Sequence, residues 1–413
     1  SMSTLFIHIK ELLQTREKSE LKVVGKSMSE LPHIKNAFLR IKGDIIHSYG
    51  SMDDLVIEDS DKVIDVTGKI ILPTWCDSHS HVVYAGDRSQ EFVDRINGLS
   101  YEDIAAKGGG ILNSAQTLQN TSESALYQQS IKRVNELIKL GTGALEIKSG
   151  YGLSTDAELK MLRVIKQIKE KSAIKIKATF LGAHAVPKKY SDNKKEYIDL
   201  IINHMLPEIH KEQLADFVDV FCEKGYFSLE DTAHVLNAAA KYDLVPKIHV
   251  NQFNAFGGVA LGVKHKALSV DHLEVLNNED IEALKNTITM PVALPGCSFF
   301  LGIPYTPARS LIDSGLPVAL ATDFNPGSAP SGNMNFIVSL ACIKMKMSPE
   351  EAINAATING AYAMNASKDY GSISIGKKAS IIITKELSSY RQIPYHFGNN
   401  PIYKVMINGV FVK

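Results

Sequence analysis

Between about residues 70 and 370 the chain alternates short apolar runs with amphipathic stretches. That alternation restricts it to folds in which helices join parallel strands. Eight runs read as buried strands: residues 70–72 leading toward His79, then 144–148, 174–181, 217–222, 246–250, 267–270, 288–294 and 317–322. Between them, residues 125–140, 156–170, 229–242 and 349–363 carry helical periodicity. Eight strands with intervening helices match the count of a (β/α)8 TIM barrel. The rival is a doubly wound open sheet, but no Gly-x-Gly-x-x-Gly follows the first strand, which counts against a dinucleotide-binding version of it.

Both chain ends have a different texture. Residues 38–41, 45–47 and 62–65 are strand-like and are punctuated by Gly43, Gly50 and Gly68. Near the other end, residues 379–384 and 403–407 are β-rich, and Asn408-Gly409 is a strong hairpin signal running into residues 410–412. Two β-rich ends around an α/β middle predict a small β-sandwich domain formed jointly by residues 1–72 and 375–413. The barrel is expected to occupy residues 73–374.

Lys plus Arg equals Asp plus Glu at 45 each, so the formal net charge is zero. Nothing in that balance draws the chain to nucleic acid or to an anionic membrane. No apolar run approaches the roughly 20 residues needed to span a bilayer. Ser1-Met2 reads as a cloning remnant, and no basic segment followed by an apolar core marks a secretory signal. The four cysteines, Cys76, Cys222, Cys297 and Cys342, are scattered, forming neither a zinc-cluster spacing nor a secreted disulfide framework. A cytoplasmic setting is the expectation.

In a barrel, chemistry gathers at the C-terminal ends of the strands. Those ends carry His79 and His81 after strand one, His184 after strand three and Glu223 after strand four. His249 ends strand five, Asp271-His272 ends strand six, and Asp323 ends strand eight. Two histidines at i and i+2 on extended chain face the same way, so His79 and His81 can reach one ion together. Each element alone has an ordinary explanation: a structural histidine, or an Asp-Phe-Asn-Pro-Gly turn at residues 323–327. Jointly, three imidazoles and one carboxylate at strands one, five and eight make a ligand set for a single zinc or iron ion.

The chain resembles the amidohydrolase superfamily, which has His-x-His after strand one, His after strands five and six, and Asp after strand eight. Within it, the likeness is greatest to the members that hydrolyse 4-imidazolone-5-propanoate to N-formimino-L-glutamate in histidine degradation. The stretches that carry it are residues 77–92, with His-Ser-His and Gly86-Asp87-Arg88, and residues 146–153, reading Glu-Ile-Lys-Ser-Gly-Tyr-Gly-Leu. Residues 180–184, 218–225, 249–258, 270–274 and 321–332 complete the match. There are departures. Pro73-Thr74-Trp75-Cys76 stands where Pro-Gly is common, Ser80 where Thr is common, and Ser380 where an Asp is usual. Gln252 replaces the Glu of some relatives and cannot act as a base.

The resemblance implies a metal-dependent cyclic amide hydrolase and a homodimer acting on a small molecule. Its metal ligands would be His79, His81, His249 and Asp323, with Asp323 or His272 as the general base. Arg88, Tyr151, His184, Gln252, Asn325, Gly327 and Ser328 would bind substrate, with Arg88 gripping a carboxylate and His184 serving as a neutral donor. Lys148 falls on strand two, away from any position that bridges two metals, so one ion is expected. Gly108-Gly109-Gly110 is followed by no Gly-Lys-Ser/Thr and reads as a mobile loop over the site. Two other readings stay open: a nucleobase deaminase of the same superfamily, which would not need Arg88, and a non-enzymatic barrel scaffold, which should have lost metal ligands.

Overall fold

A computed structural model describes residues 2–413. The chain opens with β1 (Ser3–Leu13), β2 (His33–Lys42), β3 (Ile45–Ser51), β4 (Asp61–Asp65) and β5 (Lys69–Pro73). The barrel strands follow: β6 (Trp75–Asp77), β7 (Thr142–Lys148), β8 (Lys175–Ala183), β9 (Phe217–Cys222), β10 (Val245–Val250), β11 (Ser269–His272), β12 (Met290–Ala293) and β13 (Ala319–Leu320). The chain closes with β14 (Ile381–Glu386), β15 (Ile402–Ile407) and β16 (Val410–Phe411). The strands fall into two sheets of eight, ordered β16-β15-β14-β5-β1-β2-β3 with β4 on β1, and β13 through to β6 in unbroken sequence.

The second sheet is the TIM barrel. Every neighbouring pair in it is parallel. Its seam closes just beyond the short first and last strands: Thr322 N–H donates to Asp77 Oδ1 at 3.1 Å, Asp323 N–H to the His79 carbonyl at 2.9 Å, and His81 N–H to the Phe324 carbonyl at 2.8 Å. The backbone that closes the barrel therefore also carries His79, His81 and Asp323. Serine caps set the starts of several surrounding helices. Ser122 precedes Glu123–Lys139, Ser154 precedes Thr155–Lys171, and Ser228 forms a reciprocal capping box with Asp231 on Leu229–Ala240. The helical stretch expected over residues 349–363 is two helices, Pro349–Ala356 and Ile358–Ala363, broken where Thr357 leaves helical dihedrals (φ −120°, ψ −90°).

The first sheet joins the two chain ends, as their shared texture predicts. Its eight strands form one hydrogen-bonded sheet. β1 pairs with β4 through Ser3–Ile7 and with β5 through Glu11 and Leu12, and its ladder with β2 shifts register between Phe6 and Ile9. Residues 70–72 require a correction. They were expected to be the first barrel strand, but β5 belongs to this terminal sheet, antiparallel to β14, with Ile71 opposite Ile383. The barrel begins instead at Trp75–Asp77. The reason lies in the two-residue period of a strand. Ile70 and Leu72 face the barrel-side core, while Ile71 faces the core of the small sheet, so the whole run is apolar without being a barrel strand.

Candidate metal centre and substrate pocket

Four buried side chains converge at the C-terminal mouth of the barrel. His79, His81, His249 and Asp323 each offer one ligand atom, and these atoms all lie within 4.8 Å of one another. Asp323 Oδ1 is 3.2 Å from Nε2 of both His79 and His81. Their outer contacts fix which nitrogen points inward. His79 Nδ1 donates to Asp271 at 2.7 Å and His249 Nδ1 to Asp219 at 2.9 Å. A carboxylate can only accept, so each Nε2 is left as a lone-pair donor toward the centre. His79 Nε2 is buried without a hydrogen-bond partner, an arrangement that costs free energy unless something electropositive occupies the space. Burial and the neighbouring His79 and His272 hold His249 well below the usual imidazole range, so it is neutral. Burial opposes ionisation of Asp323, but His79, His81 and His272 override it and hold the carboxyl well below its ordinary value. Two outward-anchored imidazoles, a third from the His-x-His pair and an ionised carboxylate fit a metal ion.

His272 stands beside this cluster, with Nε2 3.7 Å from Asp323 Oδ2. Its Nδ1 contacts both oxygens of Glu274 at 3.0 and 3.1 Å. Burial works against its charge, yet Glu274, Cys297 and Asp323 raise it well above the ordinary histidine range. Its backbone is strained, with φ +98° followed by +60° at Leu273, and the His272 carbonyl accepts from Thr306 Oγ1 at 2.5 Å. Asp323 too has a positive φ, +52°.

The same mouth holds a pocket lined by His81, Arg88, Tyr151, His184, Gln252, His272, Asp323, Asn325 and Ser328, together with Tyr101, Ile111 and Phe221. Of the residues expected to meet a substrate, all line it except Gly327, which lies directly behind Arg88. A Cβ built on Gly327 would fall 1.2 Å from Arg88 Nη2. Arg88 is 5% exposed, and its Nε and Nη1 have no hydrogen-bond partner; Glu91 comes only to 4.0 Å. Tyr151 sits on a loop held by the buried Glu158 carboxylate, whose Oε2 accepts from the N–H groups of Gly150, Gly152 and Leu153 at 3.1, 2.8 and 3.1 Å.

Three details differ from expectation. His184 Nδ1 lies 2.9 Å from the Gly150 carbonyl and must donate to it, and burial drives the ring's pKa well down. The neutral ring therefore presents Nε2 to the pocket as an acceptor rather than a donor. The Asn325 side chain is bound within its own turn: Oδ1 accepts from Gly327 and Ser328 N–H, and Nδ2 donates to the Asp323 carbonyl at 2.7 Å. Glu223 is not among the clustered ligands and instead accepts from Phe253 N–H at 3.1 Å and Asn254 Nδ2 at 2.6 Å. The Gly108–Gly110 segment joins helices Tyr101–Ala106 and Ile111–Gln119, which carry Tyr101 and Ile111 onto the pocket. The sequence assigns a loop only to Gly108–Gly110 and gives Tyr101 and Ile111 no role. Asp219, Asp271 and Glu274 were not assigned roles, although an acid within an apolar strand is itself a signal of pairing.

The amidohydrolase family profile matches residues 70–412. The imidazolonepropionase of Christiangramia forsetii is 64% identical over 411 residues, covering all of both chains. That of Alkaliphilus metalliredigens is 40% identical over 392 residues, covering 94% of this chain and 93% of that one. The chain belongs to the amidohydrolase family and, within it, to the imidazolonepropionases. Among solved structures, Escherichia coli guanine deaminase shares the fold with a TM-score of 0.73 at 15% identity, covering 100% of this chain and 99% of that one. A triazine hydrolase variant does so with a TM-score of 0.74 at 16% identity, covering 99% and 94%. At such identities these two speak for the fold alone. Among the described residues, no helix is long and apolar enough to cross a membrane.

Proposed function

We propose that the chain hydrolyses the ring amide of 4-imidazolone-5-propanoate, giving N-formimino-L-glutamate. The observation that carries this reading is the buried guanidinium of Arg88, with no hydrogen-bond partner on Nε or Nη1, in the same pocket as a complete metal-ligand set. A buried planar fork of donors whose nearest carboxylate, Glu91, comes only to 4.0 Å suits the propionate carboxylate, which it can bind through two charge-assisted hydrogen bonds.

His79, His81, His249 and Asp323 would hold a single zinc or iron ion. Such an ion acidifies water toward a pKa of about 7 and polarises a carbonyl. Arg88 fixes the propionate, and with it the ring amide, against the ligand cluster. Tyr151, Gln252 and Ser328 border the ring from the pocket wall. His184 Nε2 accepts from a ring N–H, and the Asn325 turn holds Gly327 and Ser328 in place. Asp323, ionised and central, receives the proton of the attacking water and returns it to the leaving ring nitrogen. His272, doubly protonated and backed by Glu274, donates to the oxygen on which negative charge develops. Asp323 thus takes the base role, because His272 has no free lone pair to accept with. Asp219 and Asp271 already serve the histidines, which favours one ion over two. A cytoplasmic homodimer completes the reading; sedimentation tests its oligomeric state.

The test is to load the purified chain with zinc or iron, add 4-imidazolone-5-propanoate and follow the loss of ring absorbance, with Asp323→Asn as control. Turnover with one ion per chain is expected. No turnover at full metal occupancy, or ammonia release from nucleobases instead, would overturn the assignment. Two ions per chain, both needed for activity, would overturn the single-ion centre.

A further inference from the structure

Beside the ligand cluster lies a group of buried charges of which the mechanism above uses only Asp219. Glu146 and Lys148 occupy alternate positions on β7, so both project into the barrel. Both are fully buried, and so is Asp219 on β9. Lys148 Nζ donates to Glu146 Oε2 at 2.5 Å and lies 3.0 Å from Asp219 Oδ2. Those two carboxylates lead to different parts of the ligand set. Glu146 Oε1 accepts from the N–H of Ser80, between His79 and His81, and Ser80 Oγ donates to the Glu146 carbonyl at 2.6 Å. Lys148 N–H itself donates to the Ser80 carbonyl at 3.0 Å. Asp219 accepts from both the backbone N–H and Nδ1 of His249, at 3.0 and 2.9 Å.

We propose that Lys148 is the positioning residue of the metal centre, its single ammonium coupling the His79–His81 pair to His249. It does so through Glu146 on one side and Asp219 on the other, and it touches neither metal nor substrate. Two anions buried 3 Å or less from one cation are held by that cation. Without it they repel each other in a medium that screens them poorly, and the ligands they support lose register. Outer partners of metal-ligating histidines typically contribute 10- to 100-fold in metal affinity, and Lys148 supports such partners on two ligand strands at once.

The inference rests on the metal-centre reading above, and its test separates the two. Zinc affinity is measured by chelator competition in the full-length wild type, in Lys148→Met and in Lys148→Met/Glu146→Gln. Thermal unfolding of each metal-free protein is recorded alongside. Lys148→Met leaves two unbalanced buried carboxylates and is expected to lower metal-free stability. The double substitution removes one of them, restores much of that stability and keeps the test available if the single variant fails to fold. Both folded variants are expected to bind zinc roughly 10- to 100-fold more weakly than wild type, and cobalt substituted at the site should give an altered visible spectrum. A folded double variant with wild-type zinc affinity and an unchanged cobalt spectrum would overturn the positioning role. A wild type that binds no stoichiometric zinc would overturn the metal centre itself.

Discussion

Gly327 offers the sharpest test of how this pocket recognises an acid. Its φ lies outside the left-handed region, so an alanine there meets no backbone penalty. What it meets is Arg88. The added methyl carbon would lie 1.2 Å from Nη2, 2.1 Å from Cζ and 2.6 Å from Nε. An ordinary non-bonded contact is about 3.5 Å, so the guanidinium has to retreat by roughly 2 Å. A displacement of that size breaks both hydrogen bonds of a fork, since a donor and acceptor separated by more than about 3.5 Å no longer bond. Hydrogen bonds to charged groups contribute about 1.5–3 kcal/mol each. Allowing for a water that replaces one of them, the net loss is about 2–3 kcal/mol, or roughly 30- to 150-fold in kcat/KM. The propionate is remote from the reacting bond, so the loss should fall mainly on KM. Steady-state kinetics of Gly327→Ala, Arg88→Ala and the double variant are the assay. The double should behave like Arg88→Ala alone, because the methyl has nothing left to displace. If Gly327→Ala keeps KM within threefold of the parent, or if the two substitutions act additively, Arg88 does not bind the acid in the way argued.

Other substitutions separate the remaining roles. Asp323→Asn removes the anionic ligand and the proton acceptor together. Zinc retention on dialysis should fall sharply, and activity by at least about 10²-fold even at saturating zinc. Glu274→Gln leaves every ligand in place, so metal content should match wild type. Turnover should drop roughly 10- to 100-fold as the His272 imidazolium loses its counter-charge. Lys377 tests the small sheet. Buried, with only the Tyr370 carbonyl within reach of Nζ, its pKa is pushed down by burial to about 8 from 10.5. The folded state then binds this proton less readily than the unfolded chain. The resulting penalty is fully present below pH 8 and fades between about pH 8 and 10.5, so this group makes stability rise with pH in that window. Lys377→Met should therefore stabilise the protein by up to ~3 kcal/mol at pH 7 relative to wild type, with the gain shrinking toward pH 10 in paired denaturant titrations.

Legibility from sequence followed what each residue contributes locally. His79, His81, His249 and Asp323 were readable because each ends an apolar run, and a barrel brings strand ends together whatever the loops do. The residues that hold them were harder to find. Asp219, Glu146, Lys148 and Lys247 interrupt apolar strands with charge, a pattern that in a parallel barrel demands buried partners. No spacing rule says that Lys148 meets Asp219 across the one intervening strand, β8. The misassigned first strand has the same origin. Ile70-Ile71-Leu72 is the stronger local strand signal, and Trp75-Cys76-Asp77 a weak one. The second forms the barrel because its edge is completed by β7 and by the turn after β13, contacts more than 60 residues away in sequence.

The substrate side divides along the same line. Arg88 in Gly-Asp-Arg-Ser has every local mark of a surface residue. It becomes a recognition element only because Gly327, some 240 positions later, leaves space for its guanidinium and because the segment carrying Tyr101 and Ile111 shields it from water. Local pattern therefore identifies the groups that can bind a metal. Whether a given arginine is solvated or held dry for an anion is decided by tertiary exclusion of water, which leaves no periodic trace in the chain. A single glycine without left-handed geometry, opposite a buried cation, is the nearest thing to such a trace, and its meaning emerges only once the two are seen in contact.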